Sequence, residues 1–166
     1  GKTALLWQAL LRFAPSFELT LAVGLDPLPS LESVLGRIER FLGLPSPREA
    51  ANDTKERKTL VRNALTSKRT LLGLDNFETL NHALNDDAAK GTAKSLYAFF
   101  ESLPAAGVTL CITSREKTNL PGEHIEDVYG LDDAMGGALF YENVSTRKDA
   151  LNETGLEKLN AAVGGH

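Results

Sequence analysis

Two short stretches carry residue types that could do chemistry together. The chain opens with GKTALL, where Gly1, Lys2 and Thr3 have the form of the last three positions of the phosphate-binding pattern G-x-x-x-x-G-K-[ST]. In that pattern the glycine lets backbone approach a phosphate, the lysine supplies a point charge and the hydroxyl binds Mg²⁺. The tripeptide does not decide by itself. It arises by chance in roughly one in ten chains of this size, and a terminus that merely starts a helix is the competing reading. TLLGLDNFETL, residues 70–80, runs leucines straight into Asp75, Asn76, Phe77 and Glu78. An aspartate at the carboxyl end of a buried parallel strand lies where open α/β sheets bind ligands. Such a residue can orient the water shell of Mg²⁺ while the loop hydroxyl binds the metal directly. A helix cap is the alternative for Asp75, and Glu78 three residues on makes a capping-box-like arrangement with it.

A third stretch ends the same way. VTLCITSRE, residues 108–116, finishes in Thr113, Ser114 and Arg115. There a polar residue can sense the state of a nucleotide and a guanidinium can reach a terminal phosphate. Taken alone, the same triplet reads as an ordinary loop start.

These residues need elements to hold them. ALLWQALLRF predicts a helix with Leu5, Leu6, Ala9, Leu10 and Phe13 on one face, stopped by Pro15. FELTLAVGL (17–25) reads as a strand covered on both faces. Ser30 caps a helix over LESVLGRIERFLGL whose apolar face holds Leu31, Val34, Leu35, Ile38 and Leu42. Residues 44–55 read as a mobile loop, and a helix from about Glu56 to Ser67 precedes the strand TLLGLD. A helical zone interrupted by NDD follows, with KGTAKSLYAFFESL as its clear part. AGVTLCITS (106–114) is a third strand, HIEDVYGL (124–131) a fourth, and the rest reads as two or three helices. Strands alternating with helices indicate an α/β fold with a parallel sheet.

Composition narrows the classes. A chain of 166 residues with 42% apolar content can bury a core as one domain. Net charge is −4, so no nucleic-acid-binding surface is suggested, and KERK (55–58) and SKR (67–69) read as solvated stretches. No apolar run approaches the roughly 20 residues of a membrane span. The single Cys111 favours a reducing compartment, hence a cytoplasmic location. His82 and His124 lack metal-ligand spacing with it, so no metal beyond Mg²⁺ is expected. Trp7, Phe99 and Phe100 read as core aromatics.

With these stretches in order, the chain resembles the nucleotide-binding domain of STAND-class P-loop ATPases in the NB-ARC style, along nearly its whole length. GKTALL resembles the end of the Walker A motif, LDNFE a Walker B variant and LCITSRE the sensor motif. The run from GEHIEDVYGLDDAMGGALF resembles the passage into a helical subdomain, and VGGH a segment that usually continues into PLAL. The resemblance implies a three-layer P-loop NTPase core over residues 1–130 with its first strand missing, followed by the start of a small helical subdomain over 131–166. It implies ATP or ADP held by Gly1, Lys2, Thr3, Ala4, Asp75 and Arg115, with Mg²⁺ on Thr3 and, through water, on Asp75. Arg115 would report the γ-phosphate. The implied partners are the nucleotide, other domains of the same polypeptide and further copies in an activated homo-oligomer, with no direct nucleic acid and no membrane.

The departures shape the expected activity. Asn76 stands where many P-loop ATPases carry the acid that activates water, and an amide is no base. Slow hydrolysis at most, and a switch rather than a turnover enzyme, is the reading. An active ATPase or kinase using Glu78 as base, and a scaffold that binds no nucleotide, are the alternatives. The loop glycines and the strand before them are missing from the pattern, which removes N–H donors to the phosphates. In the family that strand lies between the third and fourth strands found here. Its loss predicts a parallel sheet of the first three, with residues 124–131 detached or pulled across the gap.

Overall fold

The structure is a computed structural model that describes residues 1–44, 54–132 and 134–135. The expected loop at 44–55 and the helical tail beyond residue 131 fall almost wholly outside the described residues. Two compact units divide the chain, residues 2–124 and a second made of Gly1 with residues 125–166.

The larger unit is an α/β arrangement. Its elements run α1 (Lys2–Phe13), β1 (Leu19–Gly24), α2 (Leu31–Leu42), α3 (Thr54–Thr66), β2 (Thr70–Asp75), α4 (Phe77–Leu84), α5 (Lys90–Glu101) and β3 (Thr109–Ile112). The strands pair in parallel in the order β1-β2-β3, with Gly24 opposite Asp75 and Leu74 opposite Ile112. Parallel neighbours need a crossover, and each one here is a pair of helices.

Alternation along each strand sorts the side chains into two layers. Leu19, Leu21 and Val23 of β1 and Leu72 and Leu74 of β2 face the main core, built with α2, α3, α4 and α5. Leu71 faces the other way and packs with Leu6 and Leu10 of α1, flanked by Ala22 and Cys111. The central strand is therefore covered on both sides, which is why TLLGLD is apolar without alternation. Phe99 and Phe100 are buried in the main core, as expected.

Local chemistry sets the element ends. The Ser30 hydroxyl accepts the Ser33 N–H at 3.1 Å and so caps α2, while Gly43, at φ 65°, closes it in the left-handed conformation. Pro15 lies in a short 3₁₀ turn, Ala14–Ser16, that ends α1. α3 begins at Thr54, two residues before the expected start.

Four expectations are corrected. Residues 124–131 form no strand and take no part in the ladder; a strand exists only against a partner, and here Ile125, Val128 and Tyr129 are exposed instead. Leu5 and Phe13 are about half exposed, because α1 buries only the narrow stripe of Leu6 and Leu10. Trp7 is also exposed, at 53%, since it points away from that stripe. KERK is not wholly solvated: Arg57 reaches back to α2 and clamps Glu39 with Nε to Oε1 at 2.8 Å and Nη2 to Oε2 at 2.6 Å. Glu39 is buried on the apolar face of α2, so it requires that partner, and the hydrogen bonds to Glu39 raise the pKa of the Arg57 guanidinium. Among the described residues no helix is long and apolar enough to cross a membrane.

Removing one member of a buried ion pair costs more than removing both. Arg57→Met is expected to lower the unfolding free energy by about 3 kcal/mol. Glu39→Met combined with Arg57→Met is expected to lower it by less, in urea denaturation of both variants beside the parent.

Candidate functional site

Three chain segments converge at the carboxyl end of β2. Asp75 is the last residue of that strand, Thr113 follows the end of β3, and Thr3 lies in the first turn of α1. The Thr3 hydroxyl donates to Asp75 Oδ1 at 3.2 Å, across 72 residues of sequence. The Thr113 hydroxyl donates to the same oxygen. Oδ2 has no hydrogen-bond partner among the described residues, so the carboxylate is steered through one oxygen and keeps acceptor capacity on the other.

Thr113 does more than hold Asp75. Its hydroxyl accepts the Asn76 N–H at 3.2 Å, its carbonyl accepts the Phe77 N–H at 2.9 Å, and its own N–H donates to Leu74 O at 2.9 Å. It thus takes up N–H groups at the start of α4 that no side chain of α4's own cap satisfies. Asn76 occupies the cap position at φ 60° and ψ 50°, a left-handed conformation that asparagine tolerates better than most residues.

The capping-box reading of Asp75 with Glu78 is not what the structure contains. Asp75 bonds to the two threonines, and Glu78 pairs with Arg115, Nε to Oε1 at 3.4 Å. The other carboxylate oxygen of Glu78, Oε2, is buried without a hydrogen bond. The Glu78 side chain is 12% exposed and that of Arg115 78%.

The segment that carries Arg115 is fastened along its length. His82 Nε2 meets Glu116 Oε1 at 3.0 Å, and Asn81 Nδ2 donates to Lys117 O at 2.9 Å. The Tyr97 hydroxyl donates to Asn119 O at 2.8 Å and Thr118 O at 3.3 Å. Burial, and then the carboxylates of Glu101 and Glu123, push the Tyr97 pKa up, which keeps it a donor. Glu123 accepts from the backbone and hydroxyl of Thr118. Cys111 sits on the α1 side of β3, where burial pushes its thiol pKa up and leaves it a poor nucleophile.

Of the residues singled out from sequence, Thr3 and Asp75 are brought into contact, and Glu78 and Arg115 into a second contact. Lys2 opens α1, is half-buried and makes no ion pair among the described residues; Ala4 and Gly1 are exposed. The hydrogen bonds of Thr113 to Asp75 and to the start of α4 were not foreseen. Register held the signal, since Leu74 opposite Ile112 puts the next residue of each strand side by side. Among the described residues no three of His, Cys, Asp and Glu cluster as metal ligands. The oxygen donors at the site are Asp75 and the two threonine hydroxyls. No protein-family model matches the sequence, and no curated protein matches it.

Thr113→Val removes a donor to Asp75 and the acceptor of the Asn76 N–H. A loss of about 1–3 kcal/mol in unfolding free energy is expected by chemical denaturation. Hydrogen exchange at Asn76 is expected to accelerate in the same variant.

Proposed function

We propose that this chain is the nucleotide-binding core of an ATP/ADP-dependent switch within a multidomain signalling or regulatory protein. The observation that supports it most is the hydrogen bond between Thr3 and Asp75. It joins the residue read as the P-loop hydroxyl to the residue read as the strand-end aspartate, at the sheet edge where α/β folds take ligands.

The residues then divide the work. Lys2, at the first turn of α1, neutralises charge on the β- and γ-phosphates. The positive end of the α1 dipole favours the same anion. Thr3 and Asp75 offer hard oxygen donors of the kind Mg²⁺ accepts, with further positions left to water and phosphate. Bound Mg²⁺ supplies positive charge that offsets that of the phosphates. Thr113 keeps the Asp75 carboxylate in one orientation, so its free oxygen faces a constant direction. Arg115 reads the terminal phosphate.

Hydrolysis is slow in this reading. The residue after Asp75 is an amide, and Glu78, the nearest acid along the chain, has its Oε2 buried without a hydrogen bond. Nucleotide exchange, rather than turnover, then biases the arrangement of this core against other domains and further copies of the chain.

Calorimetry on the full-length protein tests the reading. Mg·ATP and Mg·ADP are expected to bind, and Lys2→Ala to weaken Mg·ATP by about a hundredfold, the loss of two charge-assisted hydrogen bonds, and Mg·ADP, which has no γ-phosphate, by about tenfold, the loss of one. Unchanged affinity in Lys2→Ala would point to a scaffold that binds no nucleotide at this site. Steady-state turnover at or above about 1 per second would point instead to an ATPase or kinase.

A further inference from the structure

Glu78 and Arg115 form the one ion pair beside Asp75 among the described residues, and its members are held unequally. Glu78 is the second residue of α4, with its side chain 12% exposed. Arg115 lies past the end of β3, on a segment tied down at Glu116, Lys117, Thr118 and Asn119, yet its own side chain is 78% exposed. The acid is fixed. The guanidinium is on a long arm in solvent.

The contact is also incomplete. A guanidinium satisfies a carboxylate best through two parallel bonds at about 2.8 Å. Here the ion pair is recorded at 3.4 Å, Nε to Oε1, too long for a hydrogen bond of that kind, and Oε2 is buried with no hydrogen bond to accept. A terminal phosphate offers more charge and the two-oxygen face that this pairing lacks.

We propose that Glu78 is a positioning residue that competes with the γ-phosphate of a nucleoside triphosphate for the Arg115 guanidinium, so that Arg115 is parked on Glu78 whenever that phosphate is absent. The inference rests on the nucleotide-binding reading and adds to it the device that separates triphosphate from diphosphate. Moving Arg115 to a phosphate leaves a nearly buried carboxylate without its cation, an arrangement that proteins avoid. Only the triphosphate requires that move. Glu78 therefore weakens ATP binding and leaves ADP binding alone, which sets the switch toward its diphosphate state.

The test is a double-mutant cycle on the full-length protein, read as the ratio of Mg·ADP to Mg·ATP dissociation constants by calorimetry. Both nucleotides are measured on the same sample, so a change in folded fraction cancels. Glu78→Gln is expected to raise the preference for ATP about fivefold, the scale of a partly exposed ion pair, with ADP affinity unchanged. In an Arg115→Ala background the same substitution is expected to leave the ratio unmoved. Glu78→Asp, whose shorter arm draws the charge back from Arg115, is expected to shift the ratio the same way and serves if the amide variant does not fold. Equal effects on both nucleotides, no effect, or an effect that persists without Arg115 would overturn the competition while leaving nucleotide binding intact. A parent protein that binds neither nucleotide would overturn the nucleotide-binding reading itself, and this inference with it.

Discussion

The close approach of α1 to β2 at Gly73 governs the geometry of the site. A Cβ built on Gly73 would lie 2.7 Å from Leu10 Cδ1 and 3.4 Å from the Ala22 Cβ. Without that atom, the helix settles onto the strand and Leu6 and Leu10 bury against Leu71. From Leu10 back to Thr3 the helix travels about 10 Å, and from Gly73 to Asp75 the strand advances about 7 Å. One rigid element therefore carries both contacts, Leu10 over Gly73 and Thr3 on Asp75. Lifting the helix at the first would withdraw the hydroxyl at the second.

The site combines parts held to different degrees. Asp75 is fixed by two hydroxyls on one oxygen, and Thr113 secures the start of α4 at the same time. The segment after β3 is tied down by Asn81, His82 and Tyr97. Against that frame the Arg115 side chain stands out as a long, exposed arm with one weak contact. Rigidity in the backbone and freedom in one guanidinium are compatible because hydrogen bonds restrain the main chain and leave the side chain to solvent.

Much of this was legible from residue types. The unbroken leucines of TLLGLD announced a strand covered on both faces, and Ser30 announced the cap that it makes. The α/β class and parallel sheet followed from alternating elements, and the first three strands form that sheet. What periodicity could not reveal was how wide a face each helix would bury. α1 shows apolar residues around most of its circumference, yet only the stripe over β2 is covered. HIEDVYGL has the composition of a strand, but composition cannot supply a ladder partner. The Arg57–Glu39 pair was half visible: an acid on the apolar stripe of α2 demands a cation, and nothing local says which. Glu78 was open to capping or catalysis because its partner, Arg115, lies 37 positions away in sequence and arrives only through the strand register.

The backbone of Asn76 has a consequence for which sequences this fold can explore. At φ 60°, a side chain with a Cβ is strained by about 1–2 kcal/mol unless it is short and able to bond locally, as in asparagine or aspartate. Glutamate, the acid with the longer reach, is among the residues that position disfavours. A lineage acquiring glutamate beside Asp75 would have to rebuild the turn into α4 as well as change a codon, whereas aspartate fits the turn as it stands. The dihedral angle thus acts as a barrier in sequence space, confining the position to short side chains that bond locally.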